Sequence, residues 1–119
     1  MLNQLVLVGR LVRKPELKES ENEKKYAHIT LAVSRSFKNI NGEYDTDFVD
    51  CILWDSVAER TVEYCNKGDI VGVRGRVQSR TVEKDGIKNS VLEVVAEKIT
   101  FLTNQKEKIT ENVEKDIEM

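Results

Sequence analysis

The chain has 119 residues, of which 39% are hydrophobic and 34% are charged, which is enough for one domain with a modest core and a short tail. Its 19 Lys and Arg side chains nearly balance 21 Asp and Glu side chains, for a net charge of -2. This balance excludes a histone-like polycation but leaves room for nucleic-acid binding through a local basic stripe. Because no apolar run approaches the ~20 residues that span a bilayer, and the first residues lack the features of a signal peptide, a cytoplasmic location is expected.

Five segments have the alternating or β-branched apolar pattern of strands, and they cover residues 2–12, 26–37, 44–54, 69–82 and 89–102. Gly9 interrupts the first segment, as at a strand bend or bulge. A polar loop over residues 16–25 follows it. Two tight-turn signals, Asn41-Gly42 and Asp85-Gly86, predict hairpins between the second and third strands and between the fourth and fifth.

Between the third and fourth strands, Asp55-Ser56 can cap a short helix that Gly68 ends. The helix has one apolar face, which carries Val57, Ala58, Val62 and Cys65. Three strands, one short helix and two further strands predict an all-β fold, a five-stranded oligonucleotide/oligosaccharide-binding (OB) barrel. A small open α+β sheet is the alternative that topology alone leaves standing.

Residues 105–119 differ in composition from residues 1–104. The longer segment has no net charge, whereas the shorter one carries five acids against three bases and no aromatic residue. Such a segment buries little apolar surface and is expected to be disordered. We therefore predict a domain over residues 1–104 and a flexible acidic tail over 105–119, with a weak helix as the alternative for the tail.

The alternation of side chains in residues 44–54 assigns them to two faces. Three residues of one parity are expected in the core: Val49, Cys51 and Leu53. The opposite face carries a surplus of large apolar side chains among Phe48, Asp50, Ile52 and Trp54. A second apolar face on a small barrel indicates an interface or a ligand platform. The alternative is that Phe48 and Trp54 pack beneath the helix or a loop.

The fourth predicted strand indicates the charge of the ligand. Its inward parity carries Val71, Val73, Gly75 and Val77, and its outward parity carries Arg74, Arg76, Gln78 and Arg80. Successive outward side chains stand about 7 Å apart, close to the spacing of phosphates in an extended strand, and guanidinium groups also stack on bases. The alternative is a solvated strand face whose arginines pair with neighbouring glutamates.

A second basic and aromatic group lies at the end of the second predicted strand, where Arg35 and Lys38 flank Phe37. A ring between two cations suits one base and its phosphates. A basic groove with interleaved aromatic platforms is typical of proteins that bind single strands, because every base has a π-face and every nucleotide has a charge. The residues therefore favour single-stranded nucleic acid as the ligand.

Catalytic and metal-binding patterns are missing from the sequence. The glycines match neither G-x-G-x-x-G nor a P-loop, and neither H-E-x-x-H nor G-x-S-x-G occurs. Cys51 and Cys65 are too few and too far apart for a metal cage or a CxxC pair, so two buried thiols are expected. The single histidine, His28, is expected on the surface or rim. We predict a protein that is not an enzyme and that holds no metal and no cofactor.

Over most of its length, the chain resembles the bacterial single-stranded DNA-binding protein family. The matching stretches run in family order over about residues 1–103: Met-Leu-Asn at 1–3, Val-Leu-Val-Gly-Arg-Leu at 6–11, Pro-Glu-Leu at 15–17, Thr-Leu-Ala-Val at 30–33, Asp-Phe at 47–48, Ala-Glu at 58–59, Lys-Gly at 67–68, Gly-x-x-Gly-Arg at 72–76, Glu-Val-Val-Ala at 93–96 and Phe-Leu at 101–102. The resemblance implies an OB fold assembled as a homotetramer, around which single-stranded DNA wraps in replication, recombination and repair. It also implies a cytoplasmic, nucleoid-associated protein.

The resemblance assigns the family's base-stacking aromatic positions to Phe37, Phe48 and Trp54. A fourth family aromatic is replaced by Val82, and the loss of one stack costs about 1–3 kcal/mol. Asp50 stands where relatives are often basic or neutral, so both departures predict weaker binding per protomer. The chain closes with Asp116-Ile117-Glu118-Met119 instead of the family tip Asp-Ile-Pro-Phe. The resemblance therefore does not carry over recruitment of replication and repair proteins through the tip.

The predicted DNA-binding residues are Phe37, Phe48, Trp54, Arg35, Lys38, Arg74, Arg76 and Arg80. Two alternative functions share the predicted fold. One is a primosome-type accessory protein that bridges single-stranded DNA and replication proteins. The other is a protein-interaction OB module whose aromatic face docks a partner chain, although docking has no need of three cations in a row.

Overall fold

The computed structural model describes residues 1–103, so the predicted tail and its boundary at residue 104 lie outside the described residues. The elements follow in the order β1 (Leu5–Leu11), β2 (Lys18–Glu19), β3 (Lys25–Lys38), β4 (Tyr44–Trp54), α1 (Asp55–Tyr64), β5 (Ile70–Lys84) and β6 (Ile87–Thr103). The five long strands match the five predicted ones. β2 is a two-residue strand inside the predicted loop 16–25, where it pairs with the start of β3.

The five long strands close into a barrel in the order β1–β5–β6–β4–β3. Closure occurs at the end of β1, where Arg10 pairs with both Ile70 of β5 and Ala32 of β3, and Leu11 pairs with Leu31 of β3. Gly9 lies at this transition, where an added Cβ would stand 2.9 Å from the carbonyl oxygen of Ala32. All neighbours are antiparallel except β4 and β6, which pair in parallel at Cys51 and Ile52. The predicted OB barrel is confirmed.

The barrel interior is a continuous apolar cluster made of Leu11, Ala27, Ile29, Leu31, Cys51, Leu53, Ala58, Cys65, Val71, Val73, Val94 and Ala96. Cys51 and Leu53 are buried, and Val49 packs against the cluster, so the predicted inward parity of β4 is confirmed. Both cysteines are free and buried, as expected. Burial raises the pKa of the Cys51 thiol to about 12 and that of Cys65 to about 11.

The helix differs from its prediction at both ends. Its N-cap is Trp54, which has extended backbone and no side-chain cap, because β4 runs directly into α1 and leaves no loop for a capping residue. A positive φ of 50° at Asp55 makes this sharp turn, a conformation that Asp tolerates better than most residues. The helix ends at Tyr64 rather than at Gly68. The chain then enters a turn in which the backbone N–H of Asn66 donates to the Asp69 carboxylate at 2.8 Å. This helix is neither long nor apolar enough to cross a membrane.

Both predicted hairpins form. Asp85 and Gly86, with φ of 53° and 76°, make a two-residue turn between β5 and β6. The turn after β3 is longer than the dipeptide Asn41-Gly42, because the Asn39 side chain accepts hydrogen bonds from the backbone amides of Asn41 and Glu43. The two hairpins project the ends of their strands beyond the core, since residues 34–38 and 83–90 are exposed.

Candidate nucleic-acid interface

The outward face of β3 and β4 carries the predicted aromatic platform. Antiparallel register sets Tyr26 opposite Trp54 and Ala32 opposite Phe48 on this face. Phe48 is 67% exposed and Trp54 is 36% exposed. The two rings stand six residues apart on β4, which is about 20 Å along a strand. The alternative that both rings pack beneath the helix or a loop is therefore wrong for Phe48, and a third of Trp54 also remains open to solvent.

Ile52 does not belong to the exposed surplus that the sequence predicted, because it is only 7% exposed. At Ile52, β4 has β3 on one side and β6 on the other, and Ile52 pairs with His28 and with Val95. At Phe48, β4 pairs with β3 alone. A residue between two neighbouring strands is covered by their side chains, whereas Phe48 has an open flank.

A cleft of about 770 Å³ lies on this face. Its floor includes His28, Thr30 and Asp50, which occupy the part of the β3–β4 ladder between the registers of Trp54 and Phe48. One wall is the segment after β1, with Arg13, Lys14, Glu16 and Lys18, and the other is the outer half of the β5–β6 hairpin, with Arg80, Val82, Val91, Leu92 and Glu93. His28 is exposed, as predicted, and lines the cleft.

The floor of the cleft is held by hydrogen bonds. The Thr30 hydroxyl donates to Asp50 Oδ1 at 2.9 Å and accepts from Arg13 Nη2 at 3.3 Å. This chain of bonds directs the Arg13 guanidinium toward the floor. It also places the Arg13 cation one hydroxyl away from the Asp50 carboxylate, which partly offsets that negative charge in the cleft.

The three predicted arginines of β5 are exposed, but the structure divides them. A register shift between Arg74 and Gly75 interrupts the β5–β6 ladder. On one side of the shift, Arg74 lies between Val6 of β1 and Lys98 of β6. On the other side, Arg76 pairs with Val95 and Arg80 pairs with Val91, which face the same way as Ile52. Arg76 and Arg80 therefore adjoin the cleft face, whereas Arg74 belongs to the β1 side of the barrel.

A buried carboxylate anchors Arg80. Glu93 is 8% exposed, and its two oxygens accept from Gln78 Nε2 at 2.8 Å and from Arg80 Nε at 3.2 Å. Gln78 in turn accepts from Arg76 Nη1 at 3.3 Å. Glu93 binds Arg80 through Nε, and within residues 1–103 the two terminal nitrogens of that guanidinium make no hydrogen bond or ion pair, so they face the cleft unpaired.

The hairpin between β3 and β4 carries the other predicted group. Arg35 donates Nε and Nη2 to Asp47, at 3.1 and 2.9 Å, and lies 3.8 Å from Asp45. The hydrogen bond to Arg35 holds the pKa of Asp47 below its usual range and raises that of Arg35. Phe37 is exposed, and Lys38 Nζ lies 5.8 Å from the centre of the Tyr44 ring. The exposed Phe37 ring is thus accessible to a ligand, whereas the Arg35 charge is already paired with Asp47.

Sequence reasoning missed the basic wall at residues 13–18. Lys18 lies in the predicted polar loop over residues 16–25, and Arg13 and Lys14 lie between that loop and the first predicted strand; none of the three was predicted to bind a ligand. The dipeptide Arg13-Lys14 before Pro15 was a usable signal, but nothing in the strand pattern shows that β2 turns this segment toward β3. Within residues 1–103, no group of three or more His, Cys, Asp or Glu side chains could hold a metal ion.

Comparison with known proteins adds independent findings. The model of the Single-strand binding protein family matches residues 2–102. Single-stranded DNA-binding protein B of Bacillus subtilis is 48% identical over 103 residues, which cover 86% of this chain and 91% of that protein. Single-stranded DNA-binding protein 1 of Lactococcus lactis is 42% identical over 107 residues, covering 89% of this chain and 71% of that protein.

A third relative, the Single-stranded DNA-binding protein of Halalkalibacterium halodurans, is 46% identical over 103 residues, which span 86% of this chain but 61% of that longer protein. The residues that match the family model, 2–102, are those that form the barrel. The chain belongs to the single-strand binding protein family.

Proposed function

We propose that this protein binds single-stranded DNA without regard to sequence and protects it in the cytoplasm during replication, recombination and repair. One observation carries the proposal: exposed aromatic rings and a cation-lined cleft share one face of an OB barrel that belongs to this family. Bases stack on Phe48, Trp54 and Phe37, and each stack is worth about 1–3 kcal/mol for any base. Binding needs no covalent step, so we propose no catalysis.

Phosphates are bound by the cations that border the stacking face. The proposed contacts are Arg76, Arg80 and Lys38 from the sequence prediction, together with Arg13, Lys14 and Lys18 of the opposite cleft wall. Arg35 contributes after exchange of Asp47 for a phosphate, since both are anions that fit a bidentate guanidinium. Phosphate contacts position the strand and carry no base information, which agrees with binding that ignores sequence.

Duplex DNA is a poor ligand for the same surface. Stacking on Phe48 and Trp54 requires bases that expose their π-faces, and in a duplex those faces are covered by neighbouring pairs. The primosome-type alternative is not favoured, because the relatives that match are named single-stranded DNA-binding proteins. A protein-docking role has no use for cations on both walls of the cleft.

We also propose that the protein acts as a homotetramer. Val6 and Val8 point outward from β1 and are 71% and 54% exposed. The edge of β1 opposite β5 is unpaired over Leu5–Val8 within residues 1–103, and an open strand edge is a ready site for pairing with another chain. Both features lie away from the cleft, so a second copy could cover them and leave the DNA face open.

Fluorescence titration tests the function directly, because Trp54 is the only tryptophan in the sequence and lies on the proposed face. Oligo(dT) is expected to quench its emission, and an unlabelled duplex of the same length is expected not to compete. Phe48→Ala should weaken binding without changing the fold. Equal affinity for duplex and single strand, or no binding by the wild-type protein, would contradict the proposal.

A further inference from the structure

Tyr26 is an aromatic side chain on the binding face that the predicted set of stacking residues does not include. Its ring centre lies 5.5 Å from that of Trp54, at an interplanar angle of 42°. It also lies 5.6 Å from His28 in an edge-on contact at 85°. His28 lines the cleft. The three rings thus form a continuous aromatic surface from Trp54 to the cleft floor.

The position of Tyr26 on β3 directs its ring outward. Its neighbour Ala27 is buried in the core, as is Ile29, so the opposite parity of Tyr26 and His28 belongs to the outer face. Tyr26 is half-buried, so part of the residue is open to solvent. The core therefore does not need this ring, and a smaller β-branched residue would fit the strand equally well.

A cation stands on the other side of Tyr26 from Trp54. Antiparallel register sets Lys18 of β2 directly opposite Tyr26, and Lys18 lines the cleft. Across β3, the order is therefore Trp54, Tyr26 and Lys18. An aromatic platform next to a cation is the pairing that one nucleotide needs, with its base on the ring and its phosphate on the ammonium group.

We infer that Tyr26 is a further base-stacking residue, which takes the base next to the one on Trp54 while Lys18 contacts the intervening phosphate. This inference rests on the proposed function and deepens it, because it sets the course of the strand from Trp54 across Tyr26 into the cleft. The competing role is purely structural: Tyr26 would hold the Trp54 ring in position and touch no nucleotide.

A double-mutant cycle separates the two roles. Tyr26→Val and Tyr26→Phe are made in the wild-type background and in Trp54→Ala, and affinity for a labelled oligo(dT) is measured by anisotropy. Loss of one stack corresponds to about a fivefold weakening or more. We expect this loss for Tyr26→Val in both backgrounds, and Tyr26→Phe should restore binding to within about twofold, since the ring alone stacks. The matched control is Tyr64→Val, because Tyr64 is an exposed tyrosine that contacts Phe101 instead.

An unchanged affinity of Tyr26→Val would overturn the inference, and so would a loss that disappears in the Trp54→Ala background, since it would reduce Tyr26 to a positioning residue. Ultraviolet crosslinking of the wild-type protein to oligo(dT) tests the contact without any substitution. We expect an adduct on the peptide that contains Tyr26; adducts at Phe48 or Trp54 without one at Tyr26 would also overturn it. If the wild-type protein binds no oligo(dT), it is the proposed function that fails.

Discussion

Arg76 and Arg80 lie on the same side of β5, but the protein holds them differently. Arg80 donates to the buried Glu93 carboxylate at 3.2 Å, so its removal leaves an acid without its cation. Arg76 forms no ion pair within residues 1–103 and donates only to Gln78. A substitution at Arg76 therefore changes one available charge and leaves no buried group without a partner. Arg76 is the cleaner probe of phosphate binding.

Arg76→Gln is expected to reduce the salt dependence of DNA binding. Each phosphate neutralised contributes about −0.7 to the slope of log affinity against log salt for single strands, so the slope should flatten by less than one unit. Trp54→Ala should instead lower affinity by about 1–3 kcal/mol at an unchanged slope, since stacking releases no counterions. Oligo(dT) titrations at several salt concentrations measure both. A wild-type slope for Arg76→Gln would show that Arg76 does not contact phosphate.

Cys51 and Cys65 are expected to make stability depend on pH in the alkaline range. Burial raises the pKa of Cys51 from its ordinary value of 9.0 to about 12. The unfolded chain therefore loses these protons at a lower pH than the folded one, and stability falls as pH rises above 9 through the folded values. Urea unfolding at pH 8 and pH 10 should show a larger fall for the wild-type protein than for a Cys51→Ala, Cys65→Ala variant. If the free energy of unfolding fell equally in both proteins, the buried thiols would not be the cause of the pH dependence.

At the scale of elements, the ladder between β5 and β6 depends on a glycine. Gly75 follows the register shift, and an added Cβ there would overlap the backbone carbonyl oxygen of Val95. A backbone atom in a central ladder has little freedom to move away. The absence of a side chain at Gly75 therefore permits the shift that separates Arg74 from Arg76.

Gly75→Ala is expected to destabilise the fold by about 1–3 kcal/mol, the usual cost of overpacking. Gly72→Ala is the matched control on the same strand, because its Cβ would meet the Thr100 side chain at an ordinary 3.7 Å. Urea midpoints of the two variants give the comparison. A Gly75→Ala variant as stable as Gly72→Ala would mean that the two strands can separate locally at no cost.

Some elements were predictable because the deciding signal is local. Strand alternation placed Leu53 in the core and Phe48 outside it, and Asp85-Gly86 supplied the two positive φ angles of its turn. The burial of Ile52 was not predictable, since it depends on which strands flank β4. Likewise, the pairing of Arg35 with Asp47 arises from β3–β4 register, which no property of either residue specifies.

At the scale of the whole molecule, the barrel presents two different outer surfaces. One is the cleft face of β3, β4 and the outer part of β5 and β6, with its rings and cations. The other is the β1 side, where Val6 and Val8 are exposed and Arg74 lies beside Val6. Residues 2–12 were predicted only as an apolar strand, and no prediction was made for its outer face. Assembly into a homotetramer was predicted only from the resemblance to a family. The alternation of side chains along β1 shows which valines point outward, but it does not show what covers them.

Val8→Glu is expected to weaken assembly while leaving the barrel folded. The side chain is exposed in the single chain, so a carboxylate there meets water in the monomer, but it would be buried without a partner in an interface between copies. Ile40→Glu is the matched control, since Ile40 is 99% exposed at the tip of the β3–β4 hairpin and away from β1. Sedimentation of both variants at equal concentration should give a smaller mass for Val8→Glu alone. A tetramer mass for Val8→Glu, or a monomer mass for the wild-type protein, would exclude the β1 side as the surface through which copies associate.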